Sequence, residues 1–219
     1  MIKTNSLFTP GHSIADEYIF TFEYPWLALG GIKNYILKKA ESLNKEEFRE
    51  ISQDVWVHKT VTIAPTASVT GPCIIDEGTE VRQCAFIRGS ALVGKNCVIG
   101  NSTELKNVII CDNVQVPHYN YVGDSILGHR SHMGAGAVTS NVKSDKTLVA
   151  VKYNGEKIET GLKKFGAILG EYVEIGCNSV LNPGTIICPH SNIYPLSCVR
   201  GVVPPDSILK TGNIIIEKE

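Results

Sequence analysis

The chain has 219 residues, 21 Lys and Arg against 22 Asp and Glu, and a formal net charge of −1. So even a balance excludes a broad basic face for nucleic acid or an anionic membrane, and no apolar run approaches the ~18 residues of a membrane span. The seven cysteines are an odd count and read as reduced thiols serving as small apolar residues. Met1–Ile14 carries no signal-peptide pattern, so a cytoplasmic location is expected.

Residues 1–52 form a region of their own, expected to be a small helical cap. Pro25 opens a helix running from Trp26 to about Ser42, with Leu27, Leu29, Ile32, Tyr35, Ile36 and Leu37 as its apolar face. The pair Gly30-Gly31 weakens it by roughly 1 kcal/mol per glycine. A stack of β coils exposes ladder groups at its ends, so this segment is expected to close the open first coil.

From Val57 an aliphatic residue falls at every sixth position: Ile63, Val69, Ile75, Val81, Ile87, Val93, Ile99 and Leu105. A period of six fits neither a helix (3.6) nor a two-faced strand (2). Small residues follow four positions later, from Ala67 and Cys73 through Thr79, Ala85, Ala91 and Cys97 to Thr103. This is the pattern of a hexapeptide β-helix. With three hexads to a coil, Val57, Ile75 and Val93 stack, as do Ile63, Val81 and Ile99, and Val69, Ile87 and Leu105. Coils then lie ~4.8 Å apart in parallel ladders.

The phase slips twice. Ile110 follows Leu105 after five residues, and Leu127 follows Val122 after five. Two readings are open: slack at a corner, or a non-ideal corner that re-aims side chains, as bulges do near sites. Regular hexads resume from Leu169 to Val199 after an insertion, 142–166. Within it Leu148, Val149, Val151 and Tyr153 lead to Asn154-Gly155 and then Lys157–Thr160, a hairpin with a type I′ turn. The β-helix is expected over 53–206 and a tail with a short packing strand over 207–219.

The densest polar cluster is Glu104-Leu105-Lys106-Asn107, with His118-Tyr119-Asn120-Tyr121-Val122-Gly123-Asp124 a coil later and Arg88 a coil earlier. Stacking is expected to bring Arg88, Lys106 and His118 to a common edge. Histidine is the natural general base near neutral pH; Arg and Lys suit an anion such as phosphate. Each also has a plain alternative: a corner histidine, solvated cations, and a Glu104–Lys106 ladder pair worth under ~1 kcal/mol. His129 and His132 are alternative zinc ligands, although their spacing and partners fit such a site poorly; no metal is expected.

Phe86-Ile87-Arg88-Gly89, the Glu104 and His118 segments and Met133-Gly134-Ala135-Gly136, in that order, resemble the acetyltransferase domain of bifunctional UDP-N-acetylglucosamine pyrophosphorylase/glucosamine-1-phosphate N-acetyltransferases. Tyr24-Pro25-Trp26 resembles the linker before the β-helix of archaeal sugar nucleotidyltransferases, and Ile158–Gly170 resembles a stand-alone, pyrophosphorylase-related subgroup. The resemblance implies a left-handed coil and a homotrimer with sites between subunits. It implies transfer of an acetyl group from acetyl-CoA to the amine of an amino-sugar phosphate or nucleotide-linked amino sugar. It assigns His118 as base and Glu104 as its support. Arg88, Lys106, Tyr121, Asn141, Lys164 and His132 would bind the sugar, and Ala135, Cys177 and Pro195 would line the acetyl-CoA groove. His132, Val142 and Cys177 depart from the family pattern, which leaves as alternatives a non-catalytic trimeric scaffold or sugar-nucleotide-binding module, and a γ-carbonic-anhydrase-like zinc lyase. The 52 residues before the repeat are too few for a pyrophosphorylase domain.

Overall fold

The computed structural model describes residues 2–212 and 214–218; Met1, Glu219 and, in the expected tail, Asn213 lie outside them. The hexads wind into a three-sided left-handed β-helix. Face I stacks Ile63, Val81, Ile99 and Val116, then Met133, Ile175, Ile193 and Leu209. Face II stacks Val69, Ile87, Leu105 and Val122, and further on Leu181 and Val199. Face III runs unbroken through Val57, Ile75, Val93, Ile110, Leu127, Leu169, Ile187 and Val203. The three stacks read from the hexads are therefore present, all parallel. From Ile75 onward these side chains are buried, each contributing roughly 1.5–3 kcal/mol relative to exposure. The small residues point inward too. Thr79 and Thr103 donate their hydroxyls to the carbonyls of Gly94 at 2.7 Å and Val116 at 2.9 Å, which satisfies buried corner groups that a larger side chain would displace.

Face III differs from the other two. Its strands carry apolar triplets (Cys73–Ile75, Ala91–Val93, Ala167–Leu169, Thr185–Ile187), and the middle residues, which alternate outward, are buried as well: Ile74, Leu92, Ile109, Ile126, Ile168 and Ile186 are each 0% exposed. The N-terminal region packs on the strands that carry the first four of them. It forms short helices Thr4–Leu7 and Asp16–Ile19, a 3₁₀ segment Pro25–Gly31 and an α-helix Ile32–Ala40. The single helix expected from Trp26 is thus split at Gly30-Gly31. A Cβ at Gly31 would strike the Tyr18 hydroxyl, which donates to the Ala28 carbonyl at 2.6 Å. The α-helix packs on Cys73–Ile75, Ala91–Val93 and the strand Glu104–Ile110, and the 3₁₀ segment packs on Tyr121–Leu127.

The expectation that this region closes the first coil is corrected for its helices: they lie along the side of the prism, because that is where the outward apolar residues are, and only its last strand, Phe48–Ser52, meets the first coil's end. Both ends are finished by antiparallel partners, Phe48–Ser52 on Val55–His58 and Ile214–Glu217 on Ser207–Lys210. The inserted hairpin pairs Ala150–Tyr153 with Glu156–Glu159. Its loop, Asn154-Gly155, has φ of 50° and 78°, as a type I′ turn requires. Val149, Val151 and Phe165 are buried, and Phe165 meets Trp26 of the N-terminal cover with ring centroids 6.1 Å apart.

Candidate functional site

The two five-residue steps fall at one corner, between faces II and III. There the strands Glu104–Ile110 and Tyr121–Leu127 bend without breaking, through Asn107 at φ 53° and Asp124 at φ 48°. Asn and Asp enter this left-handed region at least cost among non-glycine residues. The tight bend turns their side chains toward each other. Asp124, only 6% exposed, accepts from Asn107 Nδ2 at 2.9 Å and from Asn141 Nδ2 at 2.5 Å. Asn107 Nδ2 also donates to the Leu29 carbonyl at 3.1 Å, which ties the corner to the N-terminal cover. Of the two readings of the short steps, the structure shows the one in which they re-aim side chains.

Cations gather around that carboxylate. Arg88 stacks beside Lys106, since Ile87 pairs with Leu105 and the Arg88 amide donates to the Leu105 carbonyl at 2.9 Å. Lys106 pairs with Gly123 on the next coil. Burial holds the Lys106 ammonium below its ordinary pKa; neighbouring Lys164 and Arg88 act in the same direction, and Asp124 opposes them. Arg88 Nη1 donates to Glu104 Oε1 at 2.6 Å. Asn141 Nδ2 donates to the Tyr121 hydroxyl at 3.2 Å, and burial, with Asp124 and Glu104 nearby, raises the Tyr121 phenol. A Cβ at Gly123 would stand 3.0 Å from Asn141 Nδ2 and against the Tyr121 hydroxyl, so glycine leaves the space in which those two meet. Three cations, Arg88, Lys106 and Lys164, thus share two carboxylates, Glu104 and Asp124. The surplus positive charge suits an anion of phosphate type.

His118 stands on the other edge of face II. It ends the strand Gln115–His118 and pairs with Asn101 on face I. The chain then turns at Tyr119, φ 52°. Asn120 locks this corner: its Oδ1 accepts from the His118 amide at 3.0 Å, and its Nδ2 donates to the carbonyls of Gly134 and Ala137 at 2.9 and 3.0 Å. Below His118 the edge continues in register. The His118 carbonyl accepts from Gly136, the Ala135 carbonyl from Asn178 and the Cys177 carbonyl from Leu196 next to Pro195. His118, Ala135, Cys177 and Pro195 therefore line one column.

The expected common edge for Arg88, Lys106 and His118 is corrected accordingly. His118 precedes the corner between faces I and II, whereas Arg88 and Lys106 precede the corner between II and III, so the width of face II separates them. Glu104, expected to support His118, gives its carboxylate to Arg88 instead. His132 is not brought to the Lys106 cluster. It sits on face I, donates from Nδ1 to Glu174 Oε2 at 2.8 Å, and lines a polar concavity of about 420 Å³ with Asn113, Gln115 and Arg130. His129 stacks on His12 with centroids 3.9 Å apart, turned to a different partner from His132. Asp124 and Asn107 fall in the polar cluster read from the sequence but are given no role there, although each lies two residues into a five-residue step.

Residues 69–199 match the family model of the GMPPB C-terminal domain. The chain is 34% identical over 174 residues to the bifunctional protein GlmU of Methanococcus aeolicus, a match covering 71% of this chain and 42% of that protein. It is 31% identical over 201 residues to a bifunctional sugar-1-phosphate nucleotidylyltransferase/acetyltransferase of Sulfurisphaera tokodaii, covering 83% and 48%. The chain thus spans less than half the length of these relatives. Among solved structures, a hexapeptide transferase family protein from Anaplasma phagocytophilum superposes with a TM-score of 0.50 at 16% identity, covering 75% of this chain and 80% of that one, a likeness of fold. By its repeat, its coil geometry and the match over residues 69–199, the chain belongs to the GMPPB C-terminal domain family of left-handed hexapeptide β-helices.

Proposed function

We propose that this protein is an acyltransferase that moves an acetyl group from acetyl-CoA to the amine of an amino-sugar phosphate, of the glucosamine-1-phosphate kind, or of a nucleotide-linked amino sugar. The observation that carries this reading is the pairing of functions across face II. One edge bears Arg88, Lys106 and Lys164 around the buried Asp124; the other bears an exposed imidazole above the Ala135–Cys177–Pro195 column. The cations would hold the acceptor's phosphate, and Tyr121 and Asn141 the sugar. His118 would take the proton from the amine as its nitrogen attacks the thioester carbonyl. The C–S bond then breaks, and the departing thiolate receives a proton to leave as free CoA.

Because one protomer holds base and clamp on opposite edges of face II, a complete site would join the His118 edge of one subunit to the cation edge of the next, as in a homotrimer. The exposed apolar side chains on the His118 edge, Tyr119 at 64% and Leu196 at 77%, support a partner there. The test is thiol release from acetyl-CoA across a panel of amino-sugar phosphates, with mass by light scattering in parallel. Release with one acceptor from a trimer supports the reading; no release with any acceptor removes it.

A second reading, a sugar-nucleotide-binding module without chemistry, is favoured by the engagement of Glu104 with Arg88, which leaves His118 without that carboxylate to orient it. Calorimetry with acetyl-CoA separates the two: no binding at millimolar ligand favours the module.

A further inference from the structure

The inserted hairpin has a chemical character that its packing role does not require. Residues 142–166 carry six lysines against three carboxylates, in a chain whose net charge is −1. Two glycines seat the hairpin on the corner between faces II and III. A Cβ at Gly184, φ 81°, would lie 2.8 Å from Val149 Cγ1 and 3.0 Å from the Ala150 carbonyl oxygen. A Cβ at Gly201, φ 75°, would lie 3.2 Å from the Lys152 carbonyl oxygen. This close approach creates a concavity of about 350 Å³ lined by Lys143, Lys152, Lys157, Asn182 and Arg200, within the size range of small-molecule sites. Lys143 is paired with Asp145 at 3.2 Å and Lys157 with Glu159 at 2.5 Å. Among the described residues, Lys152 and Arg200 have no ion-pair partner. Four cations from two elements thus converge on one hollow, two of them without a counter-charge.

The hollow continues the edge that bears the Lys106 cluster. The Ser140 amide donates to the Leu181 carbonyl and the Asn182 amide to the Val199 carbonyl, so Ser140, Asn182 and Arg200 follow Lys106 and Gly123 down the same corner at ~4.8 Å per coil. We propose that the hairpin and the Asn182–Arg200 corner form a binding site for the phosphates of a nucleotide. Arg200 supplies a planar fork for phosphate oxygens, and the lysines supply mobile point charges. The ligand chemistry, a phosphorylated nucleoside, has two possible sources: the adenosine 3′-phosphate 5′-diphosphate end of CoA, or the nucleoside diphosphate of a nucleotide-linked sugar. Which of them it serves rests on the acyl-transfer reading; the anion site does not.

The test is calorimetry on the full chain with adenosine 3′,5′-bisphosphate, uridine 5′-diphosphate and guanosine 5′-diphosphate. The expected result is submillimolar binding of at least one nucleotide, weakened tenfold or more by Lys152→Glu with Arg200→Glu and at least threefold by Lys152→Gln with Arg200→Gln. Loss confined to the bisphosphate assigns the donor end; loss of a diphosphate assigns the acceptor. His118→Ala should bind nucleotide as the parent does, so a protein that binds but transfers no acyl group fails the proposed function and not this site. No binding of any nucleotide at millimolar concentration overturns the proposal. Unchanged affinity in both variants, with unfolding temperatures equal to the parent's, also overturns it.

Discussion

Faces II and III are wound from the same repeat, with the same inward aliphatic ladder and the same parallel pairing. Apart from Thr139, which interrupts the aliphatic ladder of face II, they part company at the residues that point outward. On face III these are Ile74, Leu92, Ile109, Ile126, Ile168 and Ile186, all buried, the first four on strands that the N-terminal region packs against. On face II they include Phe86, Glu104, Tyr121 and Cys198, all still accessible to some degree. An inward ladder sets the fold but leaves the outer surface free to vary, so one face becomes an interior and the other stays open, the working surface of the proposed function. The two meet at the tight corner of Asn107 and Asp124, where the Leu29 carbonyl of the cover is bonded to an amide that also holds the central carboxylate.

The largest effect expected from disturbing this division is on the working side. His118→Ala should lower acetyl transfer by ~10²–10⁴-fold, the range for loss of a general base, while the unfolding temperature stays put; full turnover in that variant would dismiss His118 as the base. On the sealed side, Trp26→Ala should cost ~3–5 kcal/mol in urea unfolding, as for other buried large aromatics, since Trp26 is 1% exposed. A cost below ~1 kcal/mol would mean that the cover is not part of the cooperative fold.

A smaller effect tests the clamp. Lys106 has a lowered pKa, chiefly through burial, so it loses its charge at a lower pH than a free lysine. The KM for a phosphorylated acceptor should therefore climb as alkaline pH is approached, and Lys106→Ala should raise KM about tenfold (~1.4 kcal/mol) and flatten that climb. A pH-independent KM in the parent would exclude Lys106 from phosphate binding.

The smallest effect concerns the seam of the cover. Burial and then stacked His12 depress the His129 pKa, with Arg130 adding and Glu171 opposing; the Asp112 carboxylate also lies near. A base depressed in the folded state is outcompeted for protons by the unfolded chain. Stability is then full above the unfolded imidazole pKa of ~6.5 and falls as pH drops below it. Unfolding temperatures measured from pH 7.5 downward should show this decline, and His129→Phe should reduce it; equal slopes would place the acid sensitivity elsewhere.

Much of this was legible in the residues. The six-residue period names the three ladders, Asn154-Gly155 names the hairpin turn, and the order of Arg88, Lys106 and His118 carries the family likeness. The apolar triplets such as Cys73-Ile74-Ile75 also announced a face to be covered, but read only for their inward members they pass for ladder. The place of the N-terminal region went astray for that reason. Glu104 illustrates a different limit. Its neighbours in the chain are fixed, but whether its carboxylate turns to Arg88 or to His118 depends on which edge of a face each occupies.

Sequence periodicity by itself determined the coil, its register and the inward core, because stacking makes every sixth aliphatic residue depend on the one a coil away. It also placed the residues of the proposed chemistry within two or three coils of one another, which is a statement about height along the prism. Only the tertiary structure decided the angle around it: which corner each side chain faces, that two five-residue steps pinch Asn107 and Asp124 together, and that His118 looks out from the far edge. Height follows from counting residues. Angle depends on where the backbone turns, and a turn is settled by the hydrogen bonds that close it.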